Sequence, residues 1–143
     1  MDRKATAQWQ DGLKDGKGKI STGSGVLQDA QYSFGTRFEE GIGTNPEELI
    51  AAAHAGCFTM ALSAELGKAG LTPESLQTSA IVSFGKKDDK PTITMIQLKT
   101  EARVPGADQS AFDKAAQDAK NGCPISRLFQ GNTEITLDAN LVS

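Results

Sequence analysis

The chain is expected to fold as an α+β protein, and three observations predict this. Segments 31–38, 77–85, 92–104 and 133–141 alternate side chains with period two, the pattern of strands. Residues 46–68 form one long segment, apolar nearly all round in its middle (49–62) and bounded by helix start and stop signals. Residues 108–120 repeat Phe112, Ala115, Ala116 and Ala119 at helical spacing. The strands are expected to be antiparallel. The long helix is more apolar than a single small sheet would cover, which predicts a dimer that buries two such helices together.

The elements follow in order. Ala5 to Trp9 reads as a short strand, and Gly12, Gly16 and Gly18 mark the turn after it. Ile20 to Val26 is weakly patterned and is read as a second strand. Gln31 to Phe38 is read as a third, with Tyr32, Phe34, Thr36 and Phe38 on one face and Ser33, Gly35 and Arg37 on the other. Glu39 to Asn45 is polar and glycine-rich, hence a loop. Asn45 is then a good N-cap, Pro46 fits the first helical position, and Glu48 is placed to close a capping box. The helix continues to about Lys68, where Gly67 and Gly70 are stop signals. Its alanines and Gly56 leave room for another backbone. Strands at Gln77–Gly85 and Thr92–Val104 flank the charged turn 86–91, which is read as a solvated loop. A helix over Asp108–Lys120 follows Pro105-Gly106. Cys123-Pro124 opens a short helix to about Phe129, and Thr133 to Leu141 closes the chain as a strand.

Composition narrows the functional classes. The 143 residues are 38% hydrophobic and 23% charged, which suits one ordinary domain spanning 1–143. The net charge of -3, without a basic cluster, argues against nucleic acid as a partner. No uninterrupted run of about 18 apolar residues predicts a membrane span, and the N-terminus lacks the apolar core of a secretory signal. A cytoplasmic location is the resulting expectation. There a transient disulfide is more at home than a permanent one.

Chemistry must come from few groups. The chain has two cysteines. Cys57 lies mid-helix, where a free thiol is commonly a core residue and gains little from the helix dipole. Cys123 sits where a turn becomes a helix, which would acidify it or simply make it a cap before Pro124. A free thiol of pKa about 8.5 is only a few per cent thiolate at neutral pH, so a reactive Cys57 needs a cation beside it. Lowering that pKa to about 6 would raise the thiolate fraction roughly 20- to 30-fold. Arg37 reads locally as a solvated strand-face residue. Glu48 is explained by capping, whereas Glu47 has no required local role. His54, one turn before Cys57, leaves a Cys-His couple open beside the commoner structural role. One histidine and two cysteines support a zinc site poorly, so neither metal nor cofactor is expected.

Four strings occur in order: Thr36-Arg37-Phe38-Glu39, Gly43-Thr44-Asn45-Pro46-Glu47-Glu48-Leu49, Ala52-Ala53-His54-Ala55-Gly56-Cys57-Phe58 and Gly122-Cys123-Pro124-Ile125-Ser126. Together with Trp9 and Glu134-Ile135-Thr136-Leu137-Asp138, they resemble the osmotically inducible protein C (OsmC) branch of the OsmC/Ohr organic hydroperoxide reductase family. The resemblance covers essentially the whole chain. It implies an intertwined homodimer, with antiparallel sheets wrapped around long apolar central helices and active sites at the interface. It also implies a thiol peroxidase. Cys57 matches the peroxidatic cysteine and Cys123 the resolving one. Arg37 matches the arginine that activates the thiolate, and Glu47 the carboxylate that holds that arginine. The implied partners are an organic hydroperoxide as substrate and a dithiol reductant, a lipoyl protein or dihydrolipoamide. Phe38, Phe58, Met60, Ile125, Leu128 and Phe129 are expected to supply apolar walls. Ten residues of α-helix rise about 15 Å, so Glu47 should not reach Cys57 of its own chain. Glu47 and Arg37 are therefore expected to serve Cys57 of a partner chain. Two other readings stand beside the enzyme: a peroxide-sensing disulfide switch or interaction protein without turnover, and a structural protein with inert thiols.

Overall fold

The structure is a computed structural model, and it describes residues Met1–Val142. The chain divides into two compact units, Met1–Leu49 and the remainder from Ile50. In the first, β1 (Ala5–Gln10), β2 (Lys17–Thr22) and β3 (Ala30–Tyr32) form an antiparallel sheet in the order β1-β2-β3. Gly18 pairs with Trp9 on one side and Tyr32 on the other, and those rings pack together with centroids 5.4 Å apart. A Cβ at Gly18 would collide with the Tyr32 ring, so glycine is what admits the aromatic pair.

The strand expected over Gln31 to Phe38 stops at Tyr32, and Phe34–Phe38 is instead a short helix, α1. Its alternating residues also satisfy a helical rule that wins. The Thr36 backbone N–H donates to Ser33 Oγ (3.3 Å) and the Ser33 N–H to Thr36 Oγ1 (2.7 Å), a reciprocal cap. Phe34 and Phe38 then meet as an i, i+4 pair with ring centroids 4.8 Å apart. Arg37 consequently sits on a helix and not on a strand face. Asn45 is tied at both ends: Oδ1 accepts from the Glu48 N–H (2.7 Å), and Nδ2 donates to the Thr36 carbonyl (2.9 Å). The expected capping box is only half made, because the Glu48 carboxylate accepts from Thr44 Oγ1 at 2.7 Å. Of residues Met1–Leu49, only Gly16, Gly18 and Thr36 are buried, and all six residues of β1 are exposed.

Helix α2 (Pro46–Lys68) runs unbroken from the end of the first unit into the second. Its buried residues His54, Phe58, Leu62 and Leu66 recur every fourth position, a single stripe. The second unit continues with β4 (Ser75–Lys87), β5 (Lys90–Arg103), α3 (Gln109–Gly122), α4 (Pro124–Phe129) and β6 (Glu134–Leu141). β4 and β5 form a hairpin whose two turn residues, Asp88 and Asp89, both have positive φ (54° and 60°). That geometry lets a two-residue turn follow the strand twist. β5 and β6 pair in parallel, a departure from uniformly antiparallel strands, and the sheet order is β4-β5-β6. The parallel pairing follows from the crossover through α3 and α4, which returns the chain to the starting end of the sheet. The α2 stripe packs in one core with Ile96, Leu98, Ala102 and Val104 of and after β5, and with Phe112, Ala115, Ala116 and Ala119 of α3. Each of the larger fully buried side chains contributes about 1.5–3 kcal/mol.

Ile50, Cys57 and Ala61 flank the stripe partly buried, and the opposite side of α2 stays uncovered within the chain. By length and composition alone the helix could cross a membrane, as could the core helix of a soluble protein, and most of it is not buried within the chain. Ala52, Ala53, Gly56, Met60, Ser63, Ala64 and Gly67 form its exposed side. On the buried side, His54 and Ser126 are both fully buried, with Nε2 and Oγ 2.8 Å apart. Burial lowers the His54 pKa below its ordinary 6.5.

Two stability predictions follow from these contacts. Asn45→Ala removes a cap and a link to α1, and should cost about 1–2 kcal/mol, read as a lower denaturant midpoint. His54 resists protonation in the folded chain but not in the unfolded one. The unfolded state therefore takes up the extra proton as pH falls below 6.5, and stability is lost from there toward the lower folded pKa. No other histidine is present. Thermal melts at pH 7.5 and 5.5 should show a Tm drop that is smaller in His54→Gln than in the wild type.

Candidate active site

The residues singled out by sequence form two pairs. Cys57 and Cys123, both in the second unit, are free thiols with sulfurs 2.9 Å apart. Cys57 occupies the edge of the α2 stripe, three residues after His54, and is half-buried. Cys123 is fully buried as the residue that ends α3 and precedes α4. Pro124 at the first position of α4 turns the chain sharply there, which places the Cys123 side chain against α2. A disulfide needs a sulfur separation near 2.05 Å, so the pair is a sub-ångström movement from bonding distance.

The surroundings of Cys57 work against a thiolate within the chain. Burial pushes its pKa up, and the adjacent Cys123 sulfur adds to this, while a hydrogen bond with the Ile125 backbone N–H pulls the other way. That amide belongs to the first turn of α4, so α4 brings both a second thiol and a hydrogen-bond donor to Cys57. The sequence points to Ile125 only as an apolar wall and to Ser126 only as the end of the string Gly122-Cys123-Pro124-Ile125-Ser126, and neither residue type signals the contact it makes. Only the position after Cys123-Pro124 could have pointed to those contacts.

Arg37 and Glu47 form the other pair, in the first unit. Arg37 Nε and Nη2 both donate to Glu47 Oε1, at 3.1 and 2.9 Å. Arg37 is 40% exposed and Glu47 12%, so the ion pair adds little stability and chiefly orients the guanidinium. Glu47 Oε2 is buried without a hydrogen-bond partner. The guanidinium carbon also lies 5.4 Å from the Phe38 ring centroid. Beside it, Trp9, Leu13, Tyr32, Ser33, Phe34, Arg37 and Phe38 line a cavity of about 240 Å³. Sequence reasoning placed Phe38 as an apolar wall but missed Trp9, Tyr32 and Phe34, because their convergence depends on the sheet register and on α1. Of the other expected walls, Met60 and Leu128 are exposed, Ile125 and Phe129 are partly buried, and Phe58 is a fully buried core residue. Among the described residues, no group of three or more histidine, cysteine or acidic side chains is placed to hold a metal ion.

Comparison with known proteins identifies the family. The family described as OsmC-like protein matches residues 39–138. Peroxiredoxin OsmC of Escherichia coli strain K12 is 55% identical over 143 residues, covering 100% of this chain and 99% of the relative. The organic hydroperoxide resistance protein of Xanthomonas axonopodis pv. citri (strain 306) is 33% identical over 98 residues, covering 68% of this chain and 67% of the relative. The crystal structure of the organic hydroperoxide resistance protein OhrB of Bacillus subtilis superposes with a TM-score of 0.72 at 23% identity, covering 96% of this chain and 98% of that one, and so shares the fold. With a family match over most of its length and a relative this similar end to end, the chain belongs to the OsmC-like protein family.

Proposed function

We propose that the protein is a thiol peroxidase that reduces organic hydroperoxides in the cytoplasm, and that it works as a homodimer. The observation that carries this reading is the contact of Cys57 with Cys123, 2.9 Å apart on two elements that meet only in the folded chain. Names among its relatives support a peroxide-related redox function. The Cys57 thiolate attacks one peroxide oxygen and the O–O bond breaks. The leaving alkoxide takes a proton and departs as the alcohol, and Cys57 becomes a sulfenic acid. Cys123, giving up its proton, attacks the Cys57 sulfur, and water leaves as the disulfide forms. A dithiol, a lipoyl protein or dihydrolipoamide, then supplies two electrons, is itself oxidised to a disulfide, and restores both thiols.

This chemistry needs a lowered pKa at Cys57, whereas within the chain burial and the Cys123 sulfur raise it against the opposing Ile125 N–H. In the proposed dimer, Arg37 of the partner supplies the cation and steadies the oxygen that leaves, with Glu47 holding it in place. α2 is continuous from Glu47 to Cys57, a rise of about 15 Å, which argues for contribution across copies. Two further features favour a partner copy. Three strands with no buried apolar side chain of their own need another surface to be stable. A Cβ at Gly56 would also meet nothing within 4 Å, so the chain alone does not require glycine on the open side of α2. The aromatic cavity beside Arg37 suits the carbon portion of an organic hydroperoxide better than hydrogen peroxide.

Consumption of tert-butyl hydroperoxide with dihydrolipoamide tests the reading. Wild type should turn over, Cys57→Ser should be inactive, and Cys123→Ser should lose dithiol-coupled turnover while forming a sulfenic acid. Disulfide formation without turnover would favour a sensing switch instead, and a clear preference for hydrogen peroxide would reject the substrate assignment. Shared sites make a separate demand. Arg37→Ala and Cys57→Ser should each be nearly inactive alone. Dissociated and reassociated together, they should recover about a quarter of wild-type activity, since half the dimers then hold one complete site. No recovery, with mixed dimers present, would refute a site built across copies.

A further inference from the structure

His54 is the fully buried titratable group that the proposed chemistry leaves unused. Its Nε2 is hydrogen-bonded to Ser126 Oγ at 2.8 Å, across 72 residues of sequence, while Nδ1 is buried and has no hydrogen-bond partner among the described residues. The Phe129 ring lies beside it, with centroids 6.1 Å apart. A half-satisfied imidazole is a costly way to fill an apolar contact, because a hydrocarbon of similar size would leave no polar atom unpaired. What a hydrocarbon does not provide is direction. A hydrogen bond allows one rotation and one height of α4 against α2, whereas apolar packing accepts several.

The register of the contact shows what that direction controls. His54 and Cys57 are three residues apart on α2, and Cys123 and Ser126 are three apart at α4. The two helical turns therefore face each other through two rungs: His54 with Ser126, and Cys57 with Cys123. Ile125, whose N–H bonds the Cys57 sulfur, lies immediately before Ser126. α4 is only six residues long, too short to hold its place by itself.

We propose that His54, acting through Ser126, is a positioning residue for disulfide closure: the buried hydrogen bond locks α4 so that Cys123 and the Ile125 N–H are presented to the Cys57 sulfur. His54 exchanges no proton with substrate in this role. Its contribution is to raise the effective concentration of Cys123 at Cys57. The proposal rests on the thiol peroxidase reading for its biological purpose, but its physical content can be measured without peroxide.

The test uses the full chain in glutathione redox buffers, where the reduced pair and oxidised glutathione exchange to give the Cys57–Cys123 disulfide and two reduced glutathiones. Mass spectrometry measures the fraction closed. Ser126→Ala should lower the effective concentration of the pair about tenfold, equal to about 30 mV, while Ser126→Thr, which keeps the hydroxyl, should stay within about threefold of wild type. His54→Leu and His54→Gln give the same comparison from the other side of the bond should Ser126→Ala not fold. In a second arm with tert-butyl hydroperoxide, loss of the bond should slow closure of the sulfenic acid more than it slows sulfenic acid formation. Over-oxidation to sulfinic acid should rise accordingly. Unchanged glutathione equilibria in the folded variants that lack the bond would overturn the proposal, as would equal slowing of both peroxide steps in parallel with a lowered Tm. A wild type that closes its disulfide with glutathione yet forms no sulfenic acid with peroxide would instead overturn the peroxidase reading alone.

Discussion

The buried stripe of α2 is the constraint on which the second unit depends. His54, Phe58, Leu62 and Leu66 fall on one line of the helix, and β5, α3 and α4 are packed against or beside that line. Once Phe58 and its neighbours are committed to the core, the rotation of α2 is set. Cys57 is then held at the margin of the core, half-covered and turned toward α4. A thiol one position further round would be either sealed in the core or turned away from Cys123.

That placement creates an electrostatic problem. Taking a thiol out of water favours its protonated form, and a second sulfur at 2.9 Å strengthens the effect. A single backbone N–H opposes them. On the proposed reading the missing charge arrives with a partner chain, so reactivity exists only in the assembled protein. Arg37 suits this task because Glu47 and the Phe38 ring restrict its guanidinium before any substrate binds, which reduces the ordering required at the moment of reaction. The uncovered side of α2 and the coreless first unit then have a common explanation in the same assembly.

Local rules made much of the fold legible. Asn45-Pro46 marked the start of α2, the Gly67 to Gly70 region its end, and Phe112, Ala115, Ala116 and Ala119 the buried face of α3, because caps and helical periodicity act within a few residues. The same rules misread residues 33–38. Alternation of Tyr32, Phe34, Thr36 and Phe38 is shared by a strand and by a short helix with a Ser-x-x-Thr cap, and the cap prevailed. The parallel direction of β6 was hidden because strand pairing is decided by the crossover and not by the strand's own residues.

The sequence by itself determined the family, the kinds of helix and strand, and the side chains able to do redox chemistry, since these rest on local propensity and on ordered motifs. Only the tertiary structure decided what those side chains meet. The thiol contact joins residues 66 positions apart, and the His54–Ser126 bond joins residues 72 apart. Neither follows from local preference, because both depend on how α3 and the turn at Cys123-Pro124 bring α4 back across the face of α2. The same packing turned Cys57 from an ordinary helical cysteine into a thiol poised beside its partner.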